Sequence, residues 1–391
     1  MRSSLFTDDH EDFRSMVRDF VDREIAPHVE EWEQAGRIDP KLMTKAGGLG
    51  LLGLAVPEEY GGGGTGDYRF RCVLIDELAR VGAAAVNAAF GGFDDLVAPY
   101  LADLGTDEQK RRWLPGLCSG ELRSAIAMTE PEAGSDLRGI RTTAVSQGGH
   151  WVLTGSKTFI TGGAHANVVV TVARTREREF SLFLVQDGMP GFTRGRCLDK
   201  LGQRGEDVSE LFFDDVRVPA ENLLGTEGAG LRHLMQRLPK ERMSIAYYGL
   251  AAAEAALSWT LAYTGERRAF GRPVADFQNT RFTLAELSTE IDVTRAYLDQ
   301  CVLALNTGTL TAVDAAKAKW WATELQNRVI NRCLQLHGGY GYMREYPIAR
   351  AYADARVTTI YGGTTEIMKE IVGRHLVSDV SSRDGGVRHH R

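Results

Sequence analysis

The chain has five cysteines in 391 residues, Cys72, Cys118, Cys197, Cys301 and Cys333, an odd and widely spaced set without a CxxC pair. That excludes a disulfide framework and a zinc or dithiol redox motif, and leaves buried or incidental thiols. The nine histidines form no HExxH arrangement, the terminal His389 and His390 included, so no metal is expected. Gly61 to Gly64 lack the Lys-Ser or Lys-Thr of a phosphate loop and read as a flexible turn. No basic stripe interleaved with aromatics accompanies the net charge of -6, which argues against nucleic acid. No apolar run is long enough to span a bilayer, and residues 1–24 are acidic and broken by charges, unlike a signal peptide. A cytoplasmic location is expected. There is no internal repeat, and the polar residues 381–391 lack core side chains and are expected to form a mobile tail.

What is present is enough apolar sequence, 43% against 25% charged, for large cores and two to three domains. Phe13, Met16, Val17, Phe20 and Val21 recur at helical spacing, the start of a helical domain over residues 1–122. Between 123 and 227 the period shortens, with strand-like runs at 151–153, 168–170, 181–185 and 211–213. From 228 to 380 the helical period returns, with long bundle helices expected over 284–305 and 312–336. The fold class is therefore α+β: a helical amino-terminal domain, a small central β domain and a carboxy-terminal helical bundle.

Five motifs stand out. Ala127 to Asp136 form a loop of small and hydroxylated residues whose free N–H groups and hydroxyls suit a large polar cofactor. Then follow Lys157-Thr158-Phe159-Ile160-Thr161, Glu266 to Gly271 with Gln278 beyond, Gln335-Leu336-His337-Gly338-Gly339, and Tyr361-Gly362-Gly363-Thr364. In kind and order these resemble the acyl-CoA dehydrogenase family of flavoproteins, over nearly the whole chain to about Leu376.

The resemblance implies FAD, lying between the central and last domains and across a subunit contact. Met128, Thr129, Gly134, Ser135, Phe159, Thr161, Thr364 and Glu366 would bind it. Phe159 stands where many members carry tryptophan, which keeps an aromatic face and removes the indole donor. Arg267, Phe270, Gln278, Gln335, Gly338 and Gly339 would contact the FAD of a neighbouring subunit. Arginine offers fixed donors to a pyrophosphate, and the glycines allow close backbone approach. Glu130 and Asp136 are expected to hold their loop through local hydrogen bonds.

Dehydrogenation of a thioester needs a base for the α proton, an acceptor for the β hydride and donors for the enolate-like oxygen. Many family members place the base directly after the tyrosine, where this chain has Gly362. A second branch, of long-chain and isovaleryl type, carries it on a distant helix, where Leu238-Pro239-Lys240-Glu241-Arg242 supplies Glu241. Glu241 is thus the candidate base, its pKa raised by burial beside flavin and acyl chain, with Arg242 opposing. A surface glutamate in the first turn after Pro239 is the plainer reading of Pro-x-Glu taken alone. The Gly362 N–H, with a flavin hydroxyl, would polarise the thioester carbonyl. Ser135, Arg242, Ile245, Tyr248 and Tyr361 are the candidate substrate contacts, and an inward Tyr248 would floor a short or medium pocket.

The resemblance further implies a homotetramer and an electron-transfer flavoprotein as acceptor. A thioester on acyl carrier protein instead of CoA is an open alternative in this sequence. A flavin monooxygenase of the same fold would not need Glu241, and a silent partner subunit would not need all the motifs on one chain.

Overall fold

The computed structural model describes residues 5–384, so 385–391, most of the expected tail, lie outside the described residues. By its contacts the chain divides into two compact units, Phe6–Arg237 and a second made of the described residues from Leu238 onward together with Leu5.

In the first unit seven α-helices precede the sheet: α1 (Asp8–Phe20), α2 (Val29–Ala35), α3 (Lys41–Gly48), α4 (Arg69–Arg80), α5 (Ala84–Gly91), α6 (Ala98–Leu104) and α7 (Asp107–Cys118). Thr106 and Gln109 close a reciprocal capping box at the start of α7. The eight-stranded sheet comprises β1 (Ser124–Ala127), β2 (Thr143–Gln147), β3 (His150–Thr161), β4 (Val168–Arg176), β5 (Glu179–Gln186), β6 (Phe192–Cys197), β7 (Val208–Pro219) and β8 (Leu223–Leu224). Its order is β6-β7-β3-β2-β4-β5-β8, with β1 parallel to β4.

Strand alternation explains why helices and sheet make one unit. Val168, Val170 and Val172 of β4 join a core with helical residues such as Val17, Phe90 and Leu114. Val169 and Ala173, on the opposite face, join Trp151, Leu153, Leu211 and Phe213. A strand buried on both faces cannot stand apart from the helices that cover it. The segments expected as separate amino-terminal and β domains therefore share a core.

The glycine run corrects an expectation. It is no flexible turn: Gly63 N–H donates to Gly53 O at 3.0 Å and Gly64 N–H to Val56 O at 2.9 Å. A Cβ at Gly62 would stand 2.2 Å from the Val56 carbonyl oxygen, so the glycines let two backbones pack together.

The second unit is helical: most of α8 (Gly230–Glu266), then α9 (Gln278–Asn306), α10 (Ala312–His337), α11 (Pro347–Ala355) and α12 (Thr365–Asp384), with a two-stranded ribbon, β9 (Arg268–Ala269) and β10 (Arg272–Pro273). Helix α9 begins six residues before the expected 284, and α12 continues into the segment read as a tail. Pro239 lies inside α8, nine residues past its start, so Glu241 is not a helix-start residue. No helix among the described residues is long and apolar enough to cross a membrane.

Candidate active site

Each unit carries a cluster of the expected residues. In the first, β1 ends at Ala127 and the loop of Met128, Thr129, Gly134 and Ser135 follows. Its anchor is a buried ion pair. Lys157, 1% exposed, donates from Nζ to Glu130 Oε1 at 2.8 Å and to the Met128 carbonyl at 2.9 Å. The Glu130 carboxylate also accepts from the Arg141 N–H at 2.6 Å and the Thr142 N–H at 3.0 Å. Burial pushes its pKa up, but the Lys157 hydrogen bond and charge outweigh that and hold it below the ordinary value. Glu130 thus holds the loop, but through partners 11 to 27 residues away and not through the local hydrogen bonds expected; Asp136 does act locally, accepting from the Arg138 N–H at 3.1 Å.

Lys157 received no role from the sequence. Period-2 alternation does put it on the buried face with Trp151 and Leu153, and a lysine on that face requires a buried acid.

The same strand presents Phe159 by a register break. The β3–β7 pairing shifts between Lys157 and Ile160, Ile160 takes the buried face, and Phe159 has φ 59° and is 66% exposed. A bulky residue in left-handed backbone, displaying its ring on a bulge, is a costly arrangement typical of functional positions. Thr161 ends the strand, also exposed. The Thr158 N–H donates to Thr129 O at 2.9 Å, tying the loop to the bulge. Beside the loop lies a cavity of about 300 Å³ lined by Ser135 to Arg138 and by Leu231, Arg232 and Met235.

In the second unit Glu241 and Arg242 on α8 are buried, 7% and 6% exposed. The turn Tyr361 to Thr364 enters α12, with Gly362 at φ 63° and Gly363 at φ 97°. A Cβ at Gly362 would stand 2.4 Å from Ile245 Cδ1 and 3.6 Å from Glu241 Oε1. Arg242 Nε donates to the Gly362 carbonyl at 3.5 Å, and burial pulls the guanidinium below its ordinary value against the attraction of Glu241. The Thr364 hydroxyl accepts from the Ile367 N–H at 3.3 Å, capping α12. The exposed Glu366 is held below its usual range, first by its own backbone N–H and then by the Thr364 hydroxyl. Tyr248 is buried at 4% exposure.

The residues expected to serve a neighbouring subunit form a separate, solvent-facing patch. Arg267, Phe270, Gln278, Gln335, Gly338 and Gly339 are all exposed. Phe270, at the tip of the β9–β10 ribbon, has φ 50° and is 95% exposed. The Arg267 guanidinium lies 5.5 Å from the Tyr340 ring centre, next to Gly338 and Gly339. Arg267 is 26 residues beyond Glu241 and one past the end of α8, which places the two about 39 Å apart at helical rise.

This chain matches the acyl-CoA dehydrogenase N-terminal domain over residues 7–121, the middle domain over 125–216 and the C-terminal domain over 228–377. The long-chain specific acyl-CoA dehydrogenase of Rattus norvegicus mitochondria is 47% identical over 381 residues, 96% of this chain and 88% of that protein. The crystal structure of an acyl-CoA dehydrogenase from Geobacillus kaustophilus is 44% identical with a TM-score of 0.93, over 96% of this chain and all of that one. An acyl-CoA dehydrogenase from Bacillus anthracis, solved in complex with FAD, is 29% identical with a TM-score of 0.90, over 96% and 69%. With three domains matched in order and relatives this similar along nearly its full length, the chain belongs to the acyl-CoA dehydrogenase family.

Proposed function

We propose that this protein oxidises a saturated acyl-CoA to the trans-2-enoyl thioester with Glu241 as the base. One observation carries the assignment: Glu241 Oε1 lies 3.6 Å from where a Cβ of residue 362 would stand. A carboxylate on α8 thus reaches the neighbourhood in which many family members place theirs from position 362. Bound FAD supplies the acceptor for the β hydride. Glu241 takes the α proton, and the Gly362 N–H, in a turn fixed by its φ of 63°, donates to the thioester carbonyl. Phe159 offers a ring face and Thr161 a hydroxyl to the cofactor from β3, beside the loop held by the Lys157–Glu130 pair. Arg138 and Arg232 at the cavity beside Ser135 present two cations to the anionic end of CoA.

The patch of Arg267, Phe270, Gln278, Gln335, Gly338 and Gly339 serves the FAD of a second subunit. Its support is distance: about 39 Å of helix separates it from Glu241, beyond the reach of one dinucleotide. A homotetramer is the proposed assembly, supported by apolar exposure on α9 at Phe282, 58%, and Val293, 63%. An electron-transfer flavoprotein is the proposed acceptor and the cytoplasm the proposed compartment.

The test is anaerobic mixing of the holoenzyme with butyryl, octanoyl and palmitoyl thioesters, on CoA and on acyl carrier protein, read as loss of flavin absorbance. CoA thioesters are expected to bleach the flavin, whereas bleaching by carrier-protein thioesters alone overturns the CoA assignment. Glu241→Gln should slow bleaching by about 10³-fold, within the range for a general base; an active variant removes Glu241 from the mechanism.

A further inference from the structure

Helix α10 has a lysine in the middle of its buried stripe. Ala315, Ala318, Ala322, Leu325 and Val329 are fully buried there, and Lys319 among them is 0% exposed. A buried ammonium is costly unless its protons find acceptors. Lys319 Nζ donates to the Gly363 carbonyl at 2.7 Å, while Arg242 donates to the preceding carbonyl, of Gly362. Two successive carbonyls of one turn are thus each held by a buried cation, one from α10 and one from α8.

The turn has reason to need such a clamp. Two consecutive glycines with positive φ have the largest conformational freedom to lose, and a turn that wanders cannot keep an N–H aimed at a carbonyl. The charged groups acting on Lys319 are Arg242 and Glu241 from α8, Glu324 from its own helix and Glu366 from α12. Of the three carboxylates, Glu241 exerts the largest pull.

We propose that Lys319 is a positioning residue of the dehydrogenation, a buried cation that fixes the Gly362–Gly363 turn and favours the charged form of the Glu241 carboxylate. The inference rests on the reading of Glu241 as base. Burial, then Arg242, lowers the Lys319 pKa to about 8, so the clamp loses its charge on the alkaline side.

The experiment uses FAD-loaded Lys319→Met and Lys319→Arg proteins, checked first for flavin content and oligomer size. Lys319→Met is expected to slow flavin reduction by up to about 100-fold, the scale of a small misplacement. KM should change by less than about threefold, since the fully buried Lys319 makes no contact with substrate itself and the turn's N–H matters most as the oxygen gains charge. The acid limb of the rate profile should move to higher pH, because loss of a nearby cation raises the pKa of Glu241. Amide exchange of the segment 361–364 should quicken. Lys319→Arg should keep the rate and move the alkaline limb of the wild type, expected near pH 8, upward. A Met variant with the wild-type rate, or one slowed with an unmoved acid limb, overturns the proposal. So does an Arg variant with an unmoved alkaline limb, and that variant decides alone if Lys319→Met does not fold. An active Glu241→Gln overturns the base reading and the clamp together; an inactive one, beside a normal Lys319→Met, overturns the clamp alone.

Discussion

At the scale of single residues, buried charge marks where this chain has to be right. Lys157 and Glu130 sit at 1% and 6% exposure, and removing one partner leaves the other charged and unsolvated. Lys157→Met is therefore expected to destabilise the first unit by about 3 kcal/mol and to release flavin, read as a lower urea midpoint and a lower flavin-to-protein ratio. Glu206 gives a pH dependence of definite sign. Burial raises its carboxyl from the ordinary 4.5 to about 7, against the Arg123 guanidinium 3.6 Å away. The folded state therefore binds this proton more tightly than the unfolded one. Its contribution to stability is fully present below pH 4.5 and is lost as pH rises through about 7. The urea midpoint should fall over that window, and Glu206→Gln should flatten the fall.

Among the elements, α8 is where the proposed base meets the proposed determinants of chain length. Ile245 and Tyr248 follow Glu241 at four and seven residues, one and two turns along the same face. With Tyr248 buried, Tyr248→Ala should raise kcat/KM for palmitoyl over butyryl thioester by roughly fivefold, the worth of modest pocket enlargement. An unchanged ranking takes Tyr248 out of the acyl chamber. The elements also show what was legible in the sequence. Long helices announced themselves by period, and α10 was placed to within a residue. The five motifs marked the segments that form the two clusters and the exposed patch. Short strands such as β1 and β8 left no pattern, since four or two residues cannot establish an alternation. The bulge at Phe159 and the buried partners of Lys157 and Lys319 were hidden because each depends on a distant segment. A lysine on an apolar stripe was the available sign in both cases.

For the whole molecule, separation of Glu241 from Arg267 makes a complementation test. Chains carrying Glu241→Gln and chains carrying Arg267→Ala should each be impaired as pure oligomers. Randomly mixed, they should recover about a quarter of wild-type activity if paired subunits complete each other's sites symmetrically. No recovery would place Glu241 and Arg267 of a single chain at one site and so end the reading of a site shared between subunits. The Gly362 turn carries a consequence of another kind, for any exchange of the two positions of the base. Ile245 Cδ1 lies 2.4 Å from where any Cβ at 362 would be, and the backbone there holds φ 63°. A carboxylate at 362 therefore requires the end of the Ile245 side chain to swing aside and a residue with a Cβ to hold left-handed backbone. With Glu241 as the proposed base, position 362 is left to backbone alone, and the space a side chain would take there is occupied by Ile245.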